Sequence, residues 1–451
     1  MKLQWQAFET MIAILTTFLG IIYARIVTGQ FAHRLSRITC YLVEFTLIVV
    51  PSILFTTVAN SYINHFVALK SLFLLIYIYR TRAFCRARAR SEFNLGSRPL
   101  AMTIVRALTH LITAVCIVAI DFSCFHRPYR KSRRYGAALM DSGIGLFVFT
   151  MGLVSRRSCN WADIRRCAKY STFPLIGLGF ARIGFNYVLK FQQDEHEYGT
   201  HMNAFFTLGI TKLFGSLLSF ITRNDAQLLP MAFGLLLTHQ YCLSFGPLSG
   251  IVMEDYFPRT SLLAANREGI FSLPGYFAIY LLSMCLSQWL QADTLLSYQE
   301  MKRKLRQMFL LSLTCWLLMA AANRVVGVSR VTCNLGYVIW MFAISITMIS
   351  LTIFIFDFVI DSVMTDPIIG TDKYLNKLEG TKGIPTFTIC EALNMNGLTF
   401  FLLANSLLGG IKYYLRPKDR NDYESVGIIF IYMLLSTVAI CQLHRKGIRL
   451  A

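Results

Sequence analysis

Charge is scarce in this chain. Only 15% of its 451 residues are Asp, Glu, Lys or Arg, 55% are hydrophobic, and the mean hydropathy is +0.52. A soluble globule of ordinary composition is thereby excluded. Paired cysteines are missing as well. Twelve cysteines occur, none in a Cys-x-x-Cys spacing and most in or beside apolar runs, so they read as small buried hydrophobes rather than a disulfide framework. No interval is rich enough in Pro, Gly or Ser to separate two domains, and no internal repeat of the kind that marks many secondary transporters is present. His-Glu-x-x-His, a P-loop and Gly-x-Ser-x-Gly are all absent. Their absence removes the usual signatures of zinc proteolysis, nucleotide hydrolysis and nucleophile-elbow esterases. No metal site and no nucleic-acid module is expected.

What the chain has is apolar length. About thirteen windows of roughly 20 residues read as membrane spans, near 8–25, 38–59, 62–80, 101–122, 138–155, 170–189, 201–221, 227–247, 270–290, 307–325, 333–357, 395–413 and 425–443. The fold class expected is all-α, a polytopic membrane helical bundle in one domain over 1–451. The first run has only Lys2 before it, Arg25 after it and no small-x-small cleavage pattern, so it reads as a retained anchor. The interval 358–394 holds Asp366-Pro367, Gly370, Gly380 and Gly383-Ile384-Pro385, and reads as a long loop.

Lys and Arg concentrate in the connections that lie on one side if the N-terminus faces away from the cytosol, which puts the C-terminus and the 358–394 loop in the cytosol. The net charge of +20 then reads as topology and affinity for an anionic bilayer rather than for nucleic acid. One loop breaks the pattern. His126 to Arg134 carries a basic cluster on the non-cytosolic side, so either a span is miscounted, or the cluster faces an anion such as a phospholipid phosphate, or it is a solvated loop with no ligand.

Ionisable groups recur at the starts of inward-running spans: Asp141, His201, Arg267 with Glu268, and Arg330 with Asn334. Charge kept near hydrocarbon is costly and marks a functional site by default. The plainer reading of Asp141 and Glu268 is a first-turn carboxylate, and of His201 a solvated interfacial residue. Glu197 precedes His201 by four residues, which places the two on one face if the helix begins early. Arg182 lies within a span, where its guanidinium needs a phosphate or a carboxylate such as Glu268. A carboxylate and a histidine that take a proton from a hydroxyl, beside Arg and Asn donors that hold an oxyanion or phosphate, suit acyl transfer. The same groups also suit a lipid transporter or flippase.

Four ordered runs carry a family resemblance: Tyr135-Gly136 with Met140-Asp141-Ser142-Gly143-Ile144-Gly145; Glu197-Tyr198-Gly199-Thr200-His201-Met202-Asn203; Leu263-Ala264-Ala265-Asn266-Arg267-Glu268-Gly269; and Asn396-Gly397-Leu398 with Phe400 to Asn405. They resemble the inositol acyltransferases of glycosylphosphatidylinositol (GPI) anchor biosynthesis, the PIG-W family. The resemblance implies an endoplasmic-reticulum membrane enzyme that moves a fatty acyl group, typically palmitoyl, from acyl-CoA to the inositol of glucosaminyl-phosphatidylinositol. Acyl-CoA is then a co-substrate, with no cofactor, and the shared polar positions face the lumen. On this reading Asp141, His201 and Glu197 are the catalytic candidates. Arg182, Asn203, Asn266, Arg267, Glu268, Arg330, Asn334 and Asn405 are candidates for holding substrate. The cytosolic Arg86, Arg88 and Arg90 would meet the phosphates of acyl-CoA. Thr200 and Met202 depart from the Val and Trp common in the family. His110, in mid-span, is the one residue that tempts a comparison with histidine-dependent membrane O-acyltransferases, whose sequence context is missing.

Overall fold

Where water is absent, every main-chain N–H and C=O needs an internal partner, so long apolar runs fold as unbroken helices. The computed structural model describes residues 2–31, 35–90, 92–96, 98–188, 194–254, 257–292, 294–364 and 388–450. Among them, ten helices are long and apolar enough to cross a membrane: Leu3–Gln30, Arg37–Thr56, Asn60–Arg80, Leu100–Ala119, Ala204–Ile221, Asp225–Phe245, Arg267–Leu290, Tyr298–Val325, Leu335–Met364 and Asp422–Arg445. The protein is an all-α, multi-pass membrane bundle. The β pairing among the described residues is confined to isolated bridges, Phe93 with Leu296 and Gly96 with Ala292. All twelve cysteines are free thiols.

The remaining expected spans are helical but shorter or less apolar than those ten. The window 138–155 is the helix Leu139–Leu153, whose 15 residues rise about 22 Å against about 30 Å of hydrocarbon. The window 170–189 is the helix Phe173–Val188, which continues from Trp161–Cys167 through a π-helical turn at Ala168–Thr172. The window 395–413 is Gly397–Tyr414, where Asn405, Ser406 and Lys412 dilute the apolar character.

The loop expected at 358–394 is shorter than that. Residues 358–364 continue the preceding helix and Thr388–Met395 is helical, while 365–387 lie outside the described residues. Helix persists past 358 because Arg90 Nη1 meets Asp361 Oδ2 at 2.6 Å, neutralising the carboxylate that would otherwise favour water. Helix resumes at Thr388 because Glu44 accepts from the main-chain N–H groups of Thr388 and Ile389 at 2.9 and 2.8 Å, capping the new helix from outside.

The chain packs as two compact units. The first comprises Met1–Ala7, Lys131–Gln291 and Leu311–Ile346; the second comprises Phe8–Arg130, Ala292–Leu310 and Thr347–Ala451. Within the first, Arg267–Leu290 packs against Leu139–Leu153, Leu228–Phe245 and Ala204–Ile221. Small residues permit close approach in such packing. A Cβ on Gly275 would stand 2.0 Å from the carbonyl oxygen of Cys333, so that position admits hydrogen alone. Within the second, Leu100–Ala119 packs against Thr388–Met395, Gly397–Tyr414 and Asp422–Arg445.

Candidate active site

Four helices begin beside one another in the first unit, at Leu139, Ala204, Arg267 and Leu335, the starts of Leu139–Leu153, Ala204–Ile221, Arg267–Leu290 and Leu335–Thr352. Each start leaves main-chain N–H groups without helical partners and carries a partial positive charge. The sequence answers with an acidic or amide side chain at each one. Asp141 stands in the first turn of the first helix and is fully buried. Its carboxylate accepts from the Ser132 N–H at 3.1 and 3.2 Å, the Ser132 hydroxyl at 2.7 Å and the Ala138 N–H at 3.2 Å. Arg330 Nε completes the shell at 3.2 Å from Oδ1. Tyr337 donates its hydroxyl to the Asp141 carbonyl at 2.8 Å and accepts from the Gly145 N–H at 3.2 Å, which locks the first and fourth helices together.

Arg330 carries the network onward. Its Nη1 donates to the Glu197 carbonyl at 3.3 Å, and its guanidinium lies 5.9 Å from the centroid of the Tyr198 ring. Burial opposes a charge there, but Asp141 and Glu197 outweigh it and raise the Arg330 pKa. Glu197 forms an ion pair with Lys131. Burial alone would raise the Glu197 carboxyl; Lys131 and Arg330 overturn that and hold it below the ordinary carboxylate range. Burial pushes the Lys131 ammonium below its ordinary value, and Arg330 adds to the push against the attraction of Glu197. Burial also moves the Tyr198 phenol up to about 12.

A second acidic centre flanks this one. Arg259 grips Glu268 with both arms of its fork, at 2.6 and 3.0 Å, and reaches Glu195 at 3.3 Å. Arg267 is buried, 3.4 Å from Glu268, and its two remaining amino groups donate to the carbonyls of Phe257 and Glu254 at 2.9 Å each. Beside the second centre lies a small, open cleft lined by Arg133, Arg134, His196 and Glu268 over Val252 and Met253. The basic loop that defied the charge pattern therefore sends Arg133 and Arg134 into a cleft, and Lys131 and Ser132 into the buried network.

Residues 5–443 match the GWT1 family model. The chain belongs to the GWT1 family. It is 31% identical to GPI-anchored wall transfer protein 1 of Schizosaccharomyces pombe, over 82% of this chain and 78% of that protein. It is 27% identical to the glucosaminyl-phosphatidylinositol-acyltransferase PIGW of mouse, over 91% of this chain and 88% of that protein. The human PIGW is likewise 27% identical, over 90% and 88%.

In this GWT1-family chain the site residues expected from the sequence divide into those that converge and those spent on architecture. Asp141, Glu197 and Arg330 converge. Glu197 and His201 do not share a helical face, because the short helix Glu195–Tyr198 ends at Gly199, whose φ of +98° favours glycine. A Cβ there would also meet the Asn266 Cα at 2.5 Å. The His201 ring is exposed, and it is the main-chain N–H of His201 that is held, by Asn266 Oδ1 at 2.8 Å.

Three expected substrate amides are occupied by main chain. Asn266 accepts from His201 and Met202 and donates to the Leu262 carbonyl. Asn203 caps Ala204–Ile221 through the N–H groups of Phe205 and Phe206 and donates to the Gly179 carbonyl at 3.0 Å. Asn334 accepts from Ser329 and Tyr337 and donates to the carbonyls of Val326 and Gly327, shaping the turn that presents Arg330. The fork of Arg267 is taken by the carbonyls of Glu254 and Phe257, and Glu268 meets two arginines. Arg182 is half-buried on Phe173–Val188, and Lys131, Glu197 and Tyr198 all lie within reach of its charge. Asn405 belongs to the second unit, where it donates to the Phe401 carbonyl at 2.7 Å. Arg86, Arg88 and Arg90 also lie there. Arg88 is exposed, while Arg90 is taken by Asp361.

Sequence reasoning passed over Lys131, Ser132, Tyr198, Arg259 and Tyr337 as site residues. The signal for the first two was the misplaced basic loop. Arg259 carries no such signal, since it stands outside the four recognisable runs.

Proposed function

We propose that this protein is an O-acyltransferase that moves a fatty acyl group, palmitoyl by family likeness, from acyl-CoA to an inositol hydroxyl of glucosaminyl-phosphatidylinositol. The printed names of its PIGW relatives support the acceptor. The observation that carries the reading is the Lys131–Glu197 pair, which the guanidinium of the buried Asp141–Arg330 pair reaches through the Glu197 carbonyl. The residues suit the chemistry in a particular division of labour. Asp141 is a positioning residue, because its two oxygens are filled by four donors and no solvent reaches it. Lys131 is the proton acceptor once its ammonium has released a proton to solvent: burial and a neighbouring arginine disfavour that ammonium against the attraction of Glu197.

The inositol oxygen attacks the thioester carbon as the Lys131 amine takes the hydroxyl proton. An oxygen–carbon bond forms, the carbon–sulfur bond breaks, and the departing thiolate recovers that proton from the Lys131 ammonium. Arg133 and Arg134, which line the cleft, and Arg182, whose charge reaches Lys131 and Glu197, suit the acceptor's phosphate diester by charge and fork geometry. Multi-pass membrane insertion accords with an endoplasmic-reticulum setting, the N-terminus lumenal and the C-terminus cytosolic, as the charge distribution indicates. The test is an assay of microsomes from cells lacking the endogenous activity, supplied with this chain, labelled palmitoyl-CoA and glucosaminyl-phosphatidylinositol. Label transfer to the inositol ring that depends on the chain is the expected result; no transfer with protein present overturns the reading.

A further inference from the structure

The second unit contains a separate cluster of guanidinium groups. Arg106 lies in the second turn of the membrane helix Leu100–Ala119 and donates from Nη1 to Asn394 Oδ1. Asn394 is itself oriented by donating to Thr103 Oγ1 at 3.3 Å, one turn below Arg106 on the same helix. Two residues on, Asn396 performs a different task. Its Nδ2 donates to the Ile448 carbonyl at 2.9 Å and its Oδ1 accepts from the Leu450 N–H at 2.8 Å. The C-terminal tail is thereby clamped on both sides of Arg449. The corner itself is tightly made, since a Cβ on Gly397 would stand 2.3 Å from Nε2 of His110.

The charges acting on Arg106 are those of Arg449 and Arg98, with no carboxylate among them. Arg98 and Arg449 are both exposed, and neither side chain makes an ion pair or hydrogen bond among the described residues. The nearby carboxylate of Glu391, one turn before Asn394, is engaged 3.6 Å from His444. Three like charges drawn together at the end of a membrane helix repel one another, and a neutral amide does not offset them. A chain that fixes its tail with two hydrogen bonds to hold Arg449 there is stabilised when an anion completes the set. Guanidinium forks favour phosphate oxygens above other anions.

We propose that Arg98, Arg106 and Arg449 form a phosphate-ester binding site, distinct from the acyl-transfer site, which takes either the headgroup of an anionic phospholipid or the phosphates of a soluble nucleotide. The test uses the full chain with two probes. In one arm, purified protein in phosphatidylcholine nanodiscs containing phosphatidylinositol 4-phosphate is analysed by native mass spectrometry for retained phosphoinositide. In the other, detergent-solubilised protein is dialysed against labelled coenzyme A. The variant is Arg98→Gln with Arg449→Gln, both at exposed positions that leave the buried Arg106–Asn394 contact in place. Lys418→Gln, exposed beyond the opposite end of Gly397–Tyr414, controls for loss of surface charge.

Charge-assisted hydrogen bonds are each worth enough that affinity for at least one probe falls about tenfold or more in the double variant and is unchanged in the control. Loss confined to the nanodisc arm identifies the ligand as lipid; loss confined to the dialysis arm identifies it as a nucleotide. Unchanged binding of both probes overturns the site, as does an equal loss in Lys418→Gln. None of these outcomes depends on acyl transfer, so the site stands or falls separately from the proposed reaction.

Discussion

Arg330 Nε lies 3.2 Å from Asp141 Oδ1, two buried charges brought together across 189 positions of sequence. The first of the two buried centres is arranged around that pair. The carboxylate gathers the Ser132 strap and its own helix start, and the guanidinium reaches over to the Glu197 segment.

Asp141→Asn preserves shape and removes charge, leaving a buried guanidinium without its partner. The variant still inserts and accumulates, its thermal stability in detergent drops by roughly 3 kcal/mol, and acyl transfer is abolished. Adding Arg330→Met recovers much of that stability without recovering activity. A double-mutant cycle with coupling near zero in the stability measurement would sink the pairing.

Lys131→Arg keeps a cation opposite Glu197 but cannot surrender a proton at accessible pH. Turnover falls by about two orders of magnitude or more, while acceptor KM changes little. In the unaltered protein kcat climbs with pH through a limb lying below the ordinary lysine range, as the lowered Lys131 pKa requires. That limb is missing from the residual activity of the variant. Retention of full turnover by Lys131→Arg disproves the proton-accepting role.

Glu197 supplies a stability term with a definite sign. Its folded carboxyl titrates below its unfolded value of about 4.3, so its contribution is fully present above that value and is lost as pH falls through the lower folded pKa. Thermal melts of Glu197→Gln therefore show a shallower decline as pH falls below the ordinary carboxylate range than those of the unaltered chain. Parallel curves for the two proteins contradict the ion pair.

Arg182→Lys retains charge and loses the fork. The apparent KM for glucosaminyl-phosphatidylinositol rises by about tenfold, while expression and melting temperature stay near those of the unaltered protein. Equal losses in binding and in expression assign Arg182 to folding instead.

Asn203→Ala separates capping from substrate recognition. With both ends of the amide committed to main chain, the substitution costs about 1 kcal/mol of stability and leaves the KM values of both substrates unchanged. A selective rise in acceptor KM, with stability intact, would return Asn203 to the substrate.

Membrane class, helical architecture and most of the span positions were written in the sequence. Twenty-residue apolar runs have one stable answer in lipid, and that answer is local. Asp141, Glu197 and Arg330 were legible for a similar reason: charge beside hydrocarbon is expensive enough to stand out in a one-dimensional reading. The partners of those charges were not legible. Whether Glu197 faced His201 or Lys131 turned on the left-handed Gly199 and the approach of Asn266, neither of which a helical spacing rule contains. Whether Asn203, Asn266 and Asn334 served substrate or main chain depended on which carbonyls and N–H groups arrived beside them from other helices. An amide looks the same in sequence whichever it binds, and burial with hydrogen-bond saturation is a property of the packed chain alone. The tertiary structure decided those contacts because they concern neighbours in space, and it brought the basic loop that broke the charge pattern to the candidate site.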